Sequence, residues 1–410
     1  MWRLGFFFHE MAFGLLSVFI PLYVVGSLPG GLLHGGSLIE LGIMISVALF
    51  FGIPASFFWG YICDKTRRYK SYILLSFISA AIILSIFTLT TSIVLFIVLY
   101  VVMSMLHVAH AAPKNVLIAE HYSREEWEKS YASYEMLTEV GWLLGLLLGF
   151  LAATFSLSAN YILFLCSGLN LTAFVLSIFL VADPLLIFER RLVNIEKKLD
   201  YTYRGVGAAS QILDGFSPRD KLKEKSFLTF GIALVLFSFA SSLFFTPLPV
   251  IFSQPPLNLP TGTIFVIYML NSSGAVAGYF FARRRSVFAD AKTQMRRIVL
   301  FRSALVFLLV VVFQIAVSTT LLAGLILVSL GFAYAVYYIL TLSLSMELIP
   351  AGRTGVFDVL VGLGAASGSF LGPFLAQTFL AQNPLLGYLP LFLIAGAIFF
   401  LAFAILRIFT

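Results

Sequence analysis

The sequence has 410 residues, of which 60% are apolar, 16% aromatic and only 11% charged. Its mean hydropathy is +1.01. Soluble domains carry about 25% charged residues, so the composition excludes a soluble globular protein and predicts a chain with several membrane spans. The net charge of +7 then indicates basic loops beside anionic lipid head groups, not a nucleic-acid-binding surface.

Twelve mainly apolar runs follow one another along the chain, each about as long as the 18 or more residues that a helix needs to cross a bilayer. We number them helices 1 to 12, and they cover residues 4–26, 38–62, 71–89, 92–118, 131–155, 159–182, 227–252, 261–282, 297–316, 319–345, 354–380 and 387–408. The polar segment 184–226 is predicted to be a cytoplasmic linker between two six-helix bundles, residues 1–183 and 227–410.

The basic residues are confined to one side of the predicted membrane domain. If the N-terminus is cytoplasmic, all 26 Lys and Arg residues fall in the terminal segments, in cytoplasmic loops or at helix ends that face those loops. Membrane proteins keep their basic loops in the cytoplasm. We therefore predict a multi-pass plasma-membrane protein with both termini cytoplasmic.

The two halves correspond to each other, and internal repeats mark many transporter folds. Helices 5 and 11 share an acidic residue and three glycines at an offset of 223, pairing Glu135, Gly141, Gly145 and Gly149 with Asp358, Gly364, Gly368 and Gly372. Helices 4 and 10 pair His107, His110 and Glu120 with Tyr334, Tyr337 and Glu347 at an offset of 227. Glycines four residues apart allow neighbouring helix backbones to approach closely. The halves are thus predicted to be pseudo-symmetric.

A charged turn between helices 2 and 3 contains Gly60, Asp64, Lys65 and Arg68. It resembles the motif that the major facilitator superfamily carries there: Gly, three residues, Asp, Arg or Lys, one residue, Gly and two basic residues. Arg67 occupies the place of the second glycine, which normally permits a left-handed turn.

The resemblance implies an all-α membrane protein with the fold of that superfamily, twelve helices in two pseudo-symmetric bundles, and transport by alternating access. It implies a small-molecule substrate, a monomer and no enzyme activity. It also implies that helices 1, 4, 7 and 10 line a central cavity, and that Asp64 accepts hydrogen bonds at the start of helix 11. The cytoplasmic gate implied by the family comprises Gly60, Asp64, Lys65, Arg68, Glu120, Glu347, Arg353 and Asp358.

Ionisable residues inside membrane helices are costly and often functional, and here most lie in the N-terminal half. His9, Glu10, His107, His110 and Glu139 fall in one layer, roughly 9 to 17 Å from the cytoplasmic helix ends. Lys114 and Glu135 lie about one turn nearer the cytoplasm. We predict that Glu139 and Glu10 carry protons with His107 or His110 as relay, and that His9 and Glu135 belong to the same site. Alternatively, His9 pairs with Glu10 and Glu139 pairs with Lys114.

A metal site is a further alternative, because two histidines three residues apart could ligate an ion together with carboxylates. Neither cysteine joins them, and no His-Glu-x-x-His sequence indicates a metalloprotease. We therefore predict no metal and no cofactor.

The C-terminal half offers hydroxyl and aromatic groups to the predicted cavity. Lys114 on helix 4 completes the predicted substrate site, whose other members are Ser241, Asn271, Tyr334, Tyr337, Tyr338 and Thr341. This lining favours a small, largely uncharged and amphipathic solute.

Together these features predict a secondary transporter that lies in the lipid bilayer and whose partners are protons and a small organic solute. Export by proton antiport is preferred, because an acidic residue in helix 1 and a low-charge aromatic cavity resemble multidrug exporters. Proton-coupled uptake of a nutrient such as a sugar or an organic anion is the alternative. Outside transport, the chain could be an intramembrane metal-site protein or a lipid scramblase.

Overall fold

A computed structural model describes residues 2–28, 33, 36–121, 127–183, 218–284, 290–314, 319–348, 355–382 and 387–408. All regular elements within these residues are helices. The first half contains α1 (Arg3–Val24), α2 (Leu38–Thr66), α3 (Tyr69–Phe87), α4 (Ile93–His107), α5 (Trp127–Thr154) and α6 (Ala159–Leu180). The second contains α7 (Pro218–Phe245), α8 (Thr261–Ala282), α9 (Ala291–Gln314), α10 (Thr319–Leu348), α11 (Gly355–Gln382) and α12 (Leu389–Ile408).

Two of these helices are interrupted. A one-turn 3-10 helix, Val108–His110, separates α4 from a second helical segment, Ala111–His121. On the other side, α7 ends at Phe245 and a short helix, Leu248–Ser253, follows. Pro247 and Pro249 lack the amide hydrogen that a continuous helix needs, so the single run predicted over 227–252 is broken. The same helix starts at Pro218, inside the segment 184–226 that is predicted to be a linker.

Eleven of the twelve helices are long and apolar enough to cross a membrane, judged on the described residues. The remaining one, α9, carries Arg296, Arg297 and Arg302. The twelve-helix prediction therefore agrees with the structure to within a few residues at most helix ends.

The two halves are built from matching helix pairs. In the first half α1 packs on α5 and α6, and α3 packs on α6; in the second α7 packs on α11 and α12, and α9 packs on α12. Between the halves, α5 packs on α8 and α2 packs on α11. The predicted pseudo-symmetry is present in the packing.

The glycine ladders hold helices together inside each half. A Cβ at Gly145 would meet the backbone of Met11 on α1, and one at Gly368 would meet the backbone of Phe239 on α7. Close approach of these backbones requires the absence of a side chain. Most ladder glycines therefore fix α1 to α5 and α7 to α11 within the bundles, whereas Gly149 faces α8 of the other half.

The charged turn after α2 keeps its left-handed shape without the family's glycine. Arg67 caps α2 with φ 55° and ψ 25°, and its amide donates to the Cys63 carbonyl at 2.8 Å. An L-residue other than glycine pays about 1 to 2 kcal/mol for this conformation. The departure from the motif thus changes the energy of the turn, and not its geometry.

This cost predicts the effect of restoring glycine. Arg67→Gly should leave the apparent melting temperature of the purified protein unchanged or raise it, with a gain of up to about 1 kcal/mol. Arg67→Val should lower it, because β-branched residues tolerate positive φ poorly. Arg68→Gly is the matched control, since Arg68 has φ −98°. Equal destabilisation by Arg67→Gly and Arg68→Gly would contradict the assignment.

Candidate transport cavity

A cavity of about 530 Å³ lies between the two halves, within the range of small-molecule sites. Helices α1, α2, α5 and the second segment of α4 line it from the first half, and α7, α8, α9 and α10 from the second. Helices 1, 4, 7 and 10 were expected here, so α9 is an unexpected contributor.

The wall from the first half is acidic. Glu10 comes from α1, and Glu135 and Glu139 lie four residues apart on one face of α5. Lys114 Nζ lies 3.6 Å from Glu135 Oε1 and above the Tyr134 ring. The predicted alternative pair of Lys114 with Glu139 is therefore replaced by Lys114 with Glu135. Within the described chain, Glu10 and Glu139 have no basic side chain at ion-pair distance.

Glu139 has a partner in the other half instead. Its Oε1 accepts a hydrogen bond of 2.6 Å from the Ser272 hydroxyl on α8. Oxygen-to-oxygen hydrogen bonds of this length are typical of an ionised acceptor. The carboxyl group of α5 is thus joined directly to the opposite bundle.

The three histidines form a separate polar cluster behind α1. His9 Nδ1 lies 2.6 Å from Asn170 Oδ1, and His9 Nε2 lies 3.0 Å from His107 Nδ1. His110 Nδ1 lies 3.1 Å from the Ser76 hydroxyl. His9 and His110 are buried. These bonds connect α1, α3, α6 and the end of α4 inside the first half.

The predicted proton relay from these histidines to the carboxylates is not formed. None of the three rings lines the cavity, and no described hydrogen bond joins one to Glu10 or Glu139. Consecutive helix residues are rotated by about 100°, so His9 and Glu10 face different sides of α1. The turn at Val108–His110 is a 3-10 helix, which has fewer residues per turn than an α-helix. Lys114 therefore does not lie on the same helix face as His107 and His110, as it would in a continuous α-helix.

One nitrogen from each of the three rings lies within 4.8 Å of one nitrogen from each of the others. His9, His107 and His110 are therefore the described residues that could hold a metal ion. No carboxylate joins them in the described part of the chain, so the considered site of histidines plus carboxylates does not assemble.

The opposite wall contains several of the predicted substrate residues. Tyr334 and Tyr338 stack with centroids 6.3 Å apart, and both line the cavity with Ser241 and Asn271. Asn271 Nδ2 donates to the Leu327 carbonyl at 2.8 Å. This wall is aromatic, as predicted.

Two predicted members of that wall lie elsewhere. Tyr337 is buried in the core and stacks on Phe237 with centroids 3.5 Å apart. Thr341 is buried, and its hydroxyl donates to the Tyr337 and Tyr338 carbonyls. Tyr334 and Tyr338 are one helical turn apart and share a face, whereas Tyr337 and Thr341 share the adjacent face, which packs inward.

Arg302 of α9 also lines the cavity, and the sequence reasoning missed it. It is only 2% exposed, whereas every basic residue was expected in a loop or at a helix end. Its Nη1 donates to the Leu330 carbonyl at 3.2 Å and its Nη2 to Ser241 Oγ at 3.3 Å. The available signal was its place five residues inside the predicted span 297–316.

The described residues of the predicted cytoplasmic gate make no described contact between the two halves. Asp64, Lys65 and Arg68 are exposed, and a Cβ at Gly60 would meet nothing within 4 Å. In the described chain, no hydrogen bond or ion pair joins Asp64 to α11. Asp358, in the first turn of α11, is exposed as well. The remaining gate positions, Arg353 and the side chains of Glu120 and Glu347, lie outside the described residues.

The other end of α2 is closed against the second half. The Ile39 amide donates to Gln377 Oε1 of α11 at 3.1 Å, and a Cβ at Gly42 would lie 3.1 Å from Pro373 Cβ. On the neighbouring seam, a Cβ at Gly149 would meet the ring of Phe265 on α8. The two bundles thus meet tightly at the end opposite the charged turn.

The family model described as Major Facilitator Superfamily matches residues 4–373. Among similar solved structures, a D-xylose-proton symporter has 16% identity and a TM-score of 0.72, covering 100% of this chain and 97% of that chain. The nucleoside transporter NupG has 12% identity and a TM-score of 0.69, with 100% and 98% coverage. The human organic anion transporter MFSD10 has 17% identity and a TM-score of 0.66, with 99% and 97% coverage.

At these identities the structural likeness shows the fold alone. No curated protein sequence is similar enough to count as a relative. The family match extends over nearly the whole chain, and the cavity lies between two six-helix halves, where a transported solute would bind. The chain therefore belongs to the major facilitator superfamily and is a multi-pass membrane transporter of small molecules, not an enzyme.

Proposed function

We propose that this transporter couples solute movement to protons, and that Glu139 is the proton site. The observation that carries the proposal is the 2.6 Å hydrogen bond from Ser272 to Glu139, which crosses from α8 to α5 at the cavity wall. It places a titratable group at a contact that must change when the two halves move relative to each other.

The physical reason is the cost of charge inside a membrane. A carboxylate at the centre of a membrane helix costs about 2.5 to 3.5 kcal/mol unless it is neutralised. Glu139 has no described cation beside it, so its charged form depends on the Ser272 hydroxyl. Protonation removes the charge and weakens this charge-assisted bond. Proton binding would thereby loosen the contact between α5 and α8.

Alternating access supplies the rest of the cycle. We propose that the open end at Gly60 and Asp64 faces the cytoplasm, with both termini on that side of the plasma membrane. Asp64 would join α11 when the bundles rock and this end closes, acting with Arg68 as a two-state latch. The closed seam at Gly42 and Pro373 would then open to the outside.

Symport is the form of coupling that the cavity favours. Antiport requires proton and solute to exclude each other, whereas symport requires both to be bound together. The carboxylates lie on the wall from the first half and Arg302 lies on the other, so the two could be occupied at once. The preference for export was based on a cavity with few charged groups. Arg302 adds a charge to that cavity, so this reason for export no longer holds. Export by antiport is the second candidate and is distinguished by the direction of proton flow.

The proposal predicts the behaviour of proteoliposomes that contain a pH-sensitive dye. When a panel of sugars, nucleosides, amino acids and organic acids is added outside, at least one compound should carry protons inward through the wild type. Glu139→Gln should abolish this proton flux, because an amide cannot bind and release the proton. Glu135→Gln is the matched control on the same helix face, and it should reduce the flux without removing its pH dependence.

Three results would contradict parts of this proposal. Solute entry without proton movement would exclude coupling. Proton flux in Glu139→Gln equal to the wild type would exclude Glu139 as the site. Outward proton flow during solute entry would replace symport with antiport.

The ion pair of Lys114 and Glu135 gives an independent prediction about stability. Lys114→Met should destabilise the protein by about 1 to 3 kcal/mol, because it leaves Glu135 unpaired beside Glu10 and Glu139. The double variant Lys114→Met with Glu135→Gln should recover most of that loss. Apparent melting temperatures of the two variants and of Glu135→Gln complete the cycle. Additive losses in the double variant would show that the 3.6 Å contact contributes no coupling.

A further inference from the structure

Arg302 is a charged group in the interior of a membrane domain. In the described residues no acidic side chain lies within ion-pair distance of it, and its two hydrogen bonds go to neutral acceptors. Its Nε–H is buried and has no acceptor among the residues that the structure describes. A buried guanidinium normally has an anionic partner, so the side chain of Arg302 is suited to binding an anion.

Three aromatic rings surround the guanidinium group of Arg302 beside the cavity. Its Cζ lies 5.0 Å from the ring centroid of Phe237 and 5.4 Å from those of Tyr334 and Phe399. Cation–π contacts of this kind stabilise a guanidinium but do not neutralise it. Because Tyr334 also lines the cavity, the aromatic surface around Arg302 continues into the space where a solute would rest.

We infer that Arg302 is the subsite for a monoanionic carboxylate on a substrate with an apolar or aromatic body. This inference rests on the proposed function, and it names the substrate class of the same cavity. The Nη1 and Nη2 bonds, at 3.2 and 3.3 Å, are long for N–H to O contacts. Each of these nitrogens has a second hydrogen, so an entering carboxylate can bind bidentately, as guanidinium geometry favours.

The charge of the whole cavity limits the ligand to a single negative charge. The other cation that lines it, Lys114, is already paired with Glu135. Glu10, Glu135 and Glu139 stand on the opposite wall, and they would repel a phosphate or sulfate dianion more strongly than a carboxylate monoanion. One guanidinium therefore matches one carboxylate.

The body of the substrate would lie against aromatic side chains. Trp142, Phe245, Tyr268, Tyr334 and Tyr338 all line the cavity. Rings of this kind bind flat apolar groups by offset stacking. The lining thus favours an aromatic or aliphatic carboxylic acid over a polyhydroxylated solute such as a sugar.

The test compares acids with their own amides on the purified full-length protein. Benzoate, phenylacetate and 2-naphthoate are titrated at neutral pH beside benzamide, phenylacetamide and 2-naphthamide, with the apparent melting temperature as the readout. Sulfate and phosphate are included as inorganic anions. We expect at least one acid to bind about 10- to 100-fold more tightly than its amide, the range for a charge-assisted contact.

Variants assign that preference to Arg302. Arg302→Gln should remove the difference between acid and amide, and Arg302→Lys should retain part of it, because a lysine keeps the charge without the planar fork. Arg297→Gln, an exposed arginine on the same helix, should behave like the wild type. If Arg302→Gln does not fold, the ratio of acid affinity to amide affinity in the wild type and in Arg302→Lys still tests the inference.

Several outcomes would overturn the inference. These are equal binding of acids and amides, a preserved acid preference in Arg302→Gln, sulfate or phosphate binding as tightly as the acids, and no response to any compound. If the wild type shows no preference for acids over amides but carries protons with another solute, the carboxylate subsite is rejected and proton coupling stands. Acid preference with no proton flux would reject the coupling and leave the subsite.

Discussion

A carboxylate inside a bilayer needs hydrogen-bond donors or a cation to stay charged, and the donor for Glu139 comes from the other half of this molecule. That contact runs from Ser272 on α8 to Glu139 on α5. In the proposed cycle it connects the charge state of Glu139 to the relative position of the bundles, and the other steps depend on it. The glycine ladders pack α1 closely on α5 and α7 closely on α11. Close packing of this kind favours movement of each bundle as a unit.

The two halves are alike in packing and different in chemistry. Gly145 and Gly368 do the same work in corresponding helix pairs. The counterpart of Glu139 at the offset of 223 is Gly362, and the counterpart of Glu135 is Asp358, which is exposed and does not line the cavity. Backbone contacts are thus repeated, while the ionisable groups that line the cavity are not. The result is a cavity with carboxylates on one wall and a guanidinium on the other, an arrangement suited to binding a proton and an anion together.

Much of the fold followed from the sequence because its signals are local. Apolar length predicted twelve helices, and the charged turn with the repeated glycines predicted the family and the pseudo-symmetry, all of which are confirmed. Glu10, Glu139, Tyr334 and Tyr338 also line the cavity as expected. Their placement on the transport pathway as proton or substrate residues stays a prediction.

The errors arose where helix orientation decides the outcome. In helices that are apolar on every side, spacing shows which residues share a face but not which face points inward, and so Tyr337 was placed in the cavity and the histidines beside the carboxylates. The break at Pro247 was missed because the apolar run 227–252 is long enough for one helix, although it contains two prolines. Arg302 was overlooked because a helix predicted to begin at residue 297 put it near a helix end, whereas α9 begins at Ala291 and leaves Arg302 in its middle.

The most direct test of the central claim measures the distance between the bundles as a function of pH. Spin labels at Ser71→Cys and Arg284→Cys sit at exposed positions of the two halves, and the native Cys63 and Cys166 are buried. Pulsed electron paramagnetic resonance should show a distance distribution that shifts on acidification in the otherwise wild-type protein. With Glu139→Gln the same distribution should be found at every pH. An equal shift in both proteins, or no shift in either, would contradict the claim that the proton on Glu139 controls the contact between the halves.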